Sequence, residues 1–330
     1  MRLKKSLYPY LQVMFLYFFI GSVEAVQFQS QWIVDSIGLK ELLKHQAKVV
    51  YLVNKPTQKP KDVIPGTDPR RVIPWQPHNE DDSFAVRVFS KSLSYPMDRK
   101  YPKAMPDSKQ WTATMRRLGI DQGDLIIAVG NMEFATRFSR TVVEYGGHAV
   151  VYNDATTDNL LIPYSMVDPI PGNIEPGNFT ARNSNRQRLS LGNSVGKRID
   201  TRTRFWDVRN AVYPAGKKTK SYVYAQGTLS NASNALKYID LLDDSGAWYR
   251  SADDVSAVFM SHFGDPLEQG SHRHIIVCDS EGLSNIVMWA ARSLGYDNVF
   301  VLAGGLHEFT MDPKNHRYVS LMDRVGSPAK

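Results

Sequence analysis

Short apolar runs alternate along this chain with longer stretches whose apolar positions recur at helical spacing. That is the pattern of buried parallel strands joined by amphipathic helices. It predicts a short helix over Leu39–His45 and a strand over Lys48–Val53, then a loop-rich region punctuated by Pro56, Pro60, Pro65, Pro69, Pro74 and Pro77. A helix follows over Asp107–Leu118, with Asp107 or Ser108 as its cap and Trp111, Met115 and Leu118 on one face. Next come a strand over Asp124–Val129, a helix from Glu133 to Tyr145 stopped by Gly146-Gly147, and a strand over Ala149–Tyr152. Strands alternating with helices imply an α/β fold whose sheets are mostly parallel and flanked by helices.

From Pro163 to Lys197 the periodicity disappears and Pro, Gly, Asn, Ser and Arg dominate. The stretch is too long for an ordinary connection and reads as an interdomain linker. The same programme then restarts. Arg198–Thr201 reads as a strand, Ser251 caps a helix containing Val255, Val258 and Phe259, and a strand from His274 runs into Cys278. A helix ends at Leu294-Gly295, and Asn298–Leu302 forms the next strand. A shift of 149 places lays Gly146 on Gly295, Val150 on Val299 and Val129 on Cys278. Two copies of one α/β unit are expected, with chemistry in the second copy only, since the first has valine at the thiol position.

Cys278 is the single cysteine of the 330 residues. It lies on a tight loop between the end of a strand and the start of a helix, where backbone N–H groups and the helix dipole favour an anion. Such surroundings lower a thiol pKa from about 8.5 and make a nucleophile. A small buried core residue is the alternative for a free cysteine. The N-terminus sharpens the choice. Met1-Arg2-Leu3-Lys4-Lys5 is positive, Leu11–Ile20 is apolar, and Val23-Glu24-Ala25 offers a cleavage site. This is an export signal, and its apolar part is short for a span of about 20 residues. The mature protein is expected outside the cytoplasm, periplasmic or secreted, with no stable membrane insertion after cleavage. A lone oxidisable thiol in an oxidising compartment is a liability without a use, which favours Cys278 as a nucleophile.

The net charge is +7 and the isoelectric point about 9.3, but Lys and Arg are scattered. No basic helix, aromatic RNA-type motif or zinc-finger spacing occurs, so no nucleic-acid partner is expected. One Cys and 8 His at no recurrent spacing give no metal site, and no cofactor is expected. His272 and His274 read as surface residues at a strand start, and His307 as a neighbour of the thiol loop. A cysteine phosphatase would need Arg where this chain has Ser284.

The ordered set of residues resembles the rhodanese family of sulfurtransferases, in its tandem form with an inactive first domain and an active second one. Ile199-Asp200-Thr201-Arg202 resembles the family's strand ending in Asp-x-Arg, and Arg204-Phe205 its following Arg-aromatic pair. Gly227–Ala232 stands where the family has Gly-His-Ile-Pro-Gly-Ala, and Cys278 stands at the nucleophile position. Leu294–Val299 resembles the segment after the active-site helix, at the family's spacing of 17 from Cys278 to Gly295. Leu302-Ala303-Gly304-Gly305, trailed by Phe309, resembles the Leu-x-Gly-Gly turn. The division implied is a signal at 1–25, an inactive domain at 26–163, a linker at 164–197 and a catalytic domain at 198–330.

The resemblance implies a persulfide relay. Cys278 takes sulfane sulfur from a small anionic donor of the thiosulfate or mercaptopyruvate type and passes it to a thiol or cyanide. Loop amides from Ser280 to Ser284, with Gly282 and the Ser284 hydroxyl, would cradle the sulfur. Arg202 and Arg204 would hold the donor, with Asp200 as a structural partner of Arg202. The loop departs from the family's Cys-x-x-Gly-x-Thr or Cys-x-x-Gly-x-Arg: Glu281 replaces the glycine, Leu283 the Thr or Arg, and Gly282 comes one place late. Asp279 and Glu281, if turned to the sulfur, would oppose a thiolate. The alternative is therefore a catalytically silent module of the same fold that binds a partner protein or a sulfur species.

Overall fold

The computed structural model describes residues 31–53, 62–74, 108–153, 161–163, 165, 172–182, 190–191, 202–218, 223, 227–266 and 272–320. The signal-like residues 1–25, Asp200 and the strand read at Arg198–Thr201 lie outside them.

The strands are β1 (Ile33–Val34), β2 (Lys48–Val53), β3 (Asp62–Val63), β4 (Val72–Pro74), β5 (Leu125–Val129), β6 (His148–Tyr152) and β7 (Ile162–Pro163), then β8 (Ser190–Leu191), β9 (Thr203–Asp207), β10 (Thr228–Leu229), β11 (Ala232–Ser233), β12 (Arg273–Val277), β13 (Val299–Leu302) and β14 (Val319–Ser320). The helices are α1 (Ser36–Lys44), α2 (Ser108–Arg117), α3 (Met132–Glu144), α4 (Ala252–Phe263), α5 (Gly282–Ser293) and α6 (Gly305–Met311). Local chemistry explains their starts. Asp35 caps α1 by accepting from the Ile37 and Gly38 amides, Asn131 caps α3 through Glu133 N–H, and Ser251 caps α4 through Asp254 N–H.

Two parallel five-stranded sheets result, in the orders β1-β6-β5-β2-β4 and β11-β9-β12-β13-β8. Read from opposite ends they have one topology, in which β5 corresponds to β12 and β6 to β13. The pairs β3–β7 and β10–β14 are antiparallel additions. The repeat is real, but its offset is not constant. Val50 pairs with Ala128 in the first sheet, whereas Asp207 pairs with Val277 in the second. The chain between these strands is eight residues shorter in the second half, so the strand beside the thiol strand begins at Thr203.

Described parts of the stretch read as an interdomain linker over 164–197 pack onto both halves. Phe179 is buried in the first core, where its N–H donates to Ile120 O at 3.1 Å and Arg116 Nε donates to its carbonyl at 2.9 Å. Ser190–Leu191 forms the edge strand β8 beside β13. Over residues 172–182 the backbone is irregular and is held by packing and by hydrogen bonds from side chains.

The halves meet helix to helix, α3 against α5. Almost all of α3 is buried, because one side covers its own sheet and the other faces the second half. Trp289 of α5 meets Trp32 edge-on at 4.9 Å and donates its indole N–H to Trp32 O at 2.7 Å. Among the described residues no helix is long and apolar enough to cross a membrane.

Candidate active site around Cys278

Cys278 leaves the C-terminal end of β12, a strand flanked on both edges by β9 and β13. Parallel sheets place their sites at this edge, because the loops there lead into helix N-termini. The loop Cys278-Asp279-Ser280-Glu281 turns directly into α5, and all four residues are buried. Glu281 makes the turn at φ 74°, a left-handed conformation. That conformation explains why an ungapped comparison puts Glu281 on the glycine of related loops, since only glycine adopts it without a side-chain penalty.

The sulfur is held from several sides. The N–H groups of Ser280 and Ser284 point at Cys278 Sγ, and the Ser284 hydroxyl lies 3.5 Å from it. That hydroxyl also donates to Glu281 O at 2.9 Å. With one proton it serves the carbonyl while the sulfur is a thiol, and it can rotate to serve a thiolate. The Gly-Gly turn after β13 closes the other side. Leu306 N–H donates to Cys278 O at 2.8 Å and His307 N–H to Asp279 O at 3.1 Å. Gly305 has φ 61°, and a Cβ there would stand 2.6 Å from Ser280 N and 2.7 Å from Asp279 C, main-chain atoms that cannot yield. His307 is buried beside the loop, as its place after the turn implies.

Burial reverses one expectation. Cys278 is 2% exposed, and loss of solvation pushes its thiol above the ordinary value. Its hydrogen bond with Ser284 and the amides of Ser284 and Ser280 pull the other way, while the Asp279 carboxylate adds to the rise. The cradle exists, but it does not outweigh desolvation in this closed arrangement.

The two loop acids have buried cationic partners. Asp279 accepts from Arg209 Nη1 at 2.6 Å, and Glu281 accepts from Arg140 Nη2 at 2.5 Å and from the Gly304 N–H. Arg209 is further fixed by Asp207, through Nε at 3.0 Å and Nη2 at 2.6 Å, and by Gly227 O at 2.6 Å. Burial opposes its charge, but Asp207 and Asp279 together raise its pKa above the usual arginine value. Thr228 Oγ1 donates to Asp207 Oδ2 at 2.6 Å, so the segment at Gly227-Thr228 belongs to the same network.

The sequence placed the Asp-x-Arg motif too early. In the structure Asp207-Val208-Arg209 ends the strand beside β12 and reaches the thiol loop. Arg202 and Arg204 lie at the opposite end of β9, exposed, with Arg204 registered against His274. Two strand residues lie between Arg204 and Asp207, a rise of roughly 10 Å, which sets Arg202 and Arg204 away from the end of β9 that reaches the thiol loop. The aromatic pair Phe205-Trp206 before Asp207 was the available signal for the true strand end. His274 is likewise no surface residue. It is 3% exposed, lies against the tilted ring of Phe263, and its Nδ1 accepts from Trp206 Nε1 at 3.0 Å. Of the remaining expected residues, Ser280 lies in the loop with Cys278, and Gly282 and Ser284 lie in the first turn of α5 beside it. A Cβ at Gly282 would collide with the Glu133 carboxylate of α3. Among the described residues no three His, Cys, Asp or Glu side chains are grouped to hold a metal.

Comparison with known proteins agrees with this geometry. Residues 193–312 match the family model of the rhodanese-like domain. No curated protein sequence matches the chain. Solved structures match over nearly all of it. Tum1 from Saccharomyces cerevisiae is 16% identical with a TM-score of 0.60, covering 89% of this chain and 99% of its own. SseA from Escherichia coli, described for the rhodanese fold and mechanism of 3-mercaptopyruvate sulfotransferases, is 16% identical with a TM-score of 0.56, covering 83% and 98%. The 3-mercaptopyruvate sulfurtransferase from Leishmania major is 14% identical with a TM-score of 0.61, covering 89% and 78%.

Proposed function

We propose, for a chain whose residues 193–312 form a rhodanese-like domain and whose two sheets repeat one topology, that it is a sulfurtransferase working through Cys278. The single observation that carries this reading is the cradle on the sulfur. The amides of Ser280 and Ser284 and the Ser284 hydroxyl converge on one atom at the mouth of a parallel sheet. Such donors stabilise an anionic sulfur, whether thiolate or persulfide.

The step transfers one sulfur atom. Cys278 attacks the outer sulfur of a donor of the thiosulfate or mercaptopyruvate type, and the bond between that sulfur and the rest of the donor breaks. With thiosulfate, sulfite leaves with the bonding electron pair; with mercaptopyruvate, whose one sulfur is transferred, the C–S pair leaves on carbon as the enolate of pyruvate and takes a proton; either way Cys278 becomes a persulfide. A thiol or cyanide then attacks the outer sulfur, and the Cys278 thiolate departs as leaving group. On this reading the protein works outside the cytoplasm, as the signal-like residues 1–25 imply.

A second reading, a catalytically silent module, has its own support in the burial of Cys278 and the raised pKa of its thiol. Intact-mass spectrometry after incubation with thiosulfate or 3-mercaptopyruvate separates the two. Gain of one sulfur atom by the native protein, absent in Cys278→Ser, is the expected result. No gain with either donor sinks the transfer reading.

A further inference from the structure

We infer that Arg140, a residue of the first half that carries no thiol, is a positioning residue for the Cys278 loop and acts through Glu281. The inference rests on sulfur transfer at Cys278 for its meaning, but not for its test. Arg140 is 0% exposed and Glu281 2% exposed, and their ion pair spans the contact between α3 and α5. A buried pair of this kind is weak evidence of stabilisation, because desolvation offsets much of the attraction. What it fixes is geometry.

Glu281 is the residue through which loop geometry reaches the sulfur. Its left-handed backbone directs its carbonyl at the Ser284 hydroxyl, at 2.9 Å, and at Asn285 Nδ2, at 2.8 Å. The placement of Ser284 over Cys278 therefore follows from the backbone at Glu281. The side chain holds that backbone. One carboxylate oxygen takes Arg140, and the other takes the amide of Gly304, in the turn whose Gly305 packs on Ser280. Without Arg140 the carboxylate would be a buried charge three residues from the thiol.

The device is built on one side only. At the offset of 149 that relates the later elements of the two halves, the counterparts of Arg140 and Glu281 are Trp289 and Met132. The ionic contact is thus directed at the loop that bears the thiol and has no charged counterpart at the loop of the first half. The other charged or titratable groups around the loop are Asp279 with its partner Arg209, Glu133 against Gly282, His307 on the Asp279 carbonyl, and Glu308 against Gly304.

The test measures alkylation of Cys278 by iodoacetamide as a function of pH in the full chain, with circular dichroism confirming the fold. Arg140→Met leaves the Glu281 carboxylate uncompensated and is expected to raise the pH midpoint by roughly one unit. Glu281→Gln leaves the guanidinium uncompensated and is expected to lower it. The double variant loses the hold on the Glu281 backbone although both charges are gone, so its midpoint should stay above the native one, and a native midpoint there overturns the positioning role; Arg140→Lys should move it less than Arg140→Met. A residue that merely fills space would shift both single variants the same way or neither. A folded single variant with an unmoved midpoint, or two shifts of one sign, overturns the inference. If one single variant does not fold, the sign of the other decides. Because alkylation needs no sulfur donor, this result stands apart from success or failure of persulfide loading.

Discussion

The side chain of Asn153 hydrogen-bonds both main-chain groups of Tyr249, its Oδ1 accepting from Tyr249 N–H at 2.8 Å and its Nδ2 donating to Tyr249 O at 3.4 Å. Asn153 follows β6 in the first half, and both residues are buried. Tyr249 in turn donates its hydroxyl to Ile286 O in α5 at 2.7 Å. A side chain of one half thereby imitates a strand partner for the other, one residue contact away from the helix behind Cys278.

Asn153→Ala should accordingly destabilise the protein by about 1–3 kcal/mol, since the buried main-chain groups of Tyr249 lose their partners. Urea unfolding followed by circular dichroism measures this. A midpoint equal to the native one would mean that water replaces the amide and that the contact does not join the halves.

Glu281→Gly and Glu281→Ala both break the buried ion pair with Arg140, a loss of about 3–5 kcal/mol when only one partner is removed. They differ in backbone strain. At φ 74° glycine is at ease and alanine is not, so Glu281→Gly should be the more stable of the two by about 1 kcal/mol. Equal unfolding midpoints for the pair would show that the loop changes conformation once the carboxylate is gone.

Burial raises the Cys278 thiol above its ordinary value, and the sign of the linkage follows. Between the unfolded and folded pKa values the unfolded chain has lost a proton that the folded chain keeps, so stability falls as pH rises. The contribution is fully present below about 8.5 and is lost above it. Tyr249 and Tyr296 are also raised, the latter to about 12, and add the same slope only at higher pH. Cys278→Ser should therefore flatten the first part of the alkaline decline in a thermal-melt series. A decline identical in both proteins would place the titrating group elsewhere.

His274 is displaced in the opposite sense. Burial, and then the nearby positive charge of Arg204, lower its pKa to about 4. Its neutral Nδ1 is also the acceptor for Trp206. The folded state thus refuses a proton that the unfolded state takes at about 6.5, and stability should fall as pH drops from about 6.5 toward 4. His274→Asn, which keeps an acceptor for the indole, should remove that slope. An imidazole titrating near 6.5 in the folded protein by NMR would contradict the burial argument.

Much of the fold was legible because its signals are local. The run into Cys278, the cap at Ser251 and the stop at Gly146-Gly147 each involve neighbours in the chain, and among the described residues strands and helices stand within a few residues of these expected places. The site was legible only in part. Cys278, Ser280 and Ser284 follow from the strand-loop-helix order. Arg209 did not, because Asp200-Thr201-Arg202 offers the same Asp-x-Arg spacing seven places earlier, and only the pairing of β9 with β12 shows which copy reaches the thiol loop.

The sequence by itself determined the α/β alternation, the repeat and the thiol at a strand's end, since periodicity and turn chemistry act over a few residues. The tertiary structure alone decided what surrounds that thiol. Asp279 and Glu281 read as acids that would oppose it, until folding set Arg209 and Arg140 against them from 70 and 141 residues away. A charge in a sequence carries no mark of its partner, because any distant cation could neutralise it and only packing selects one. Folding also buried the loop, so desolvation pushes the thiol that the sequence read as an activated nucleophile above its ordinary pKa. The fate of Cys278 follows from that balance between a cradle of amides and the exclusion of water.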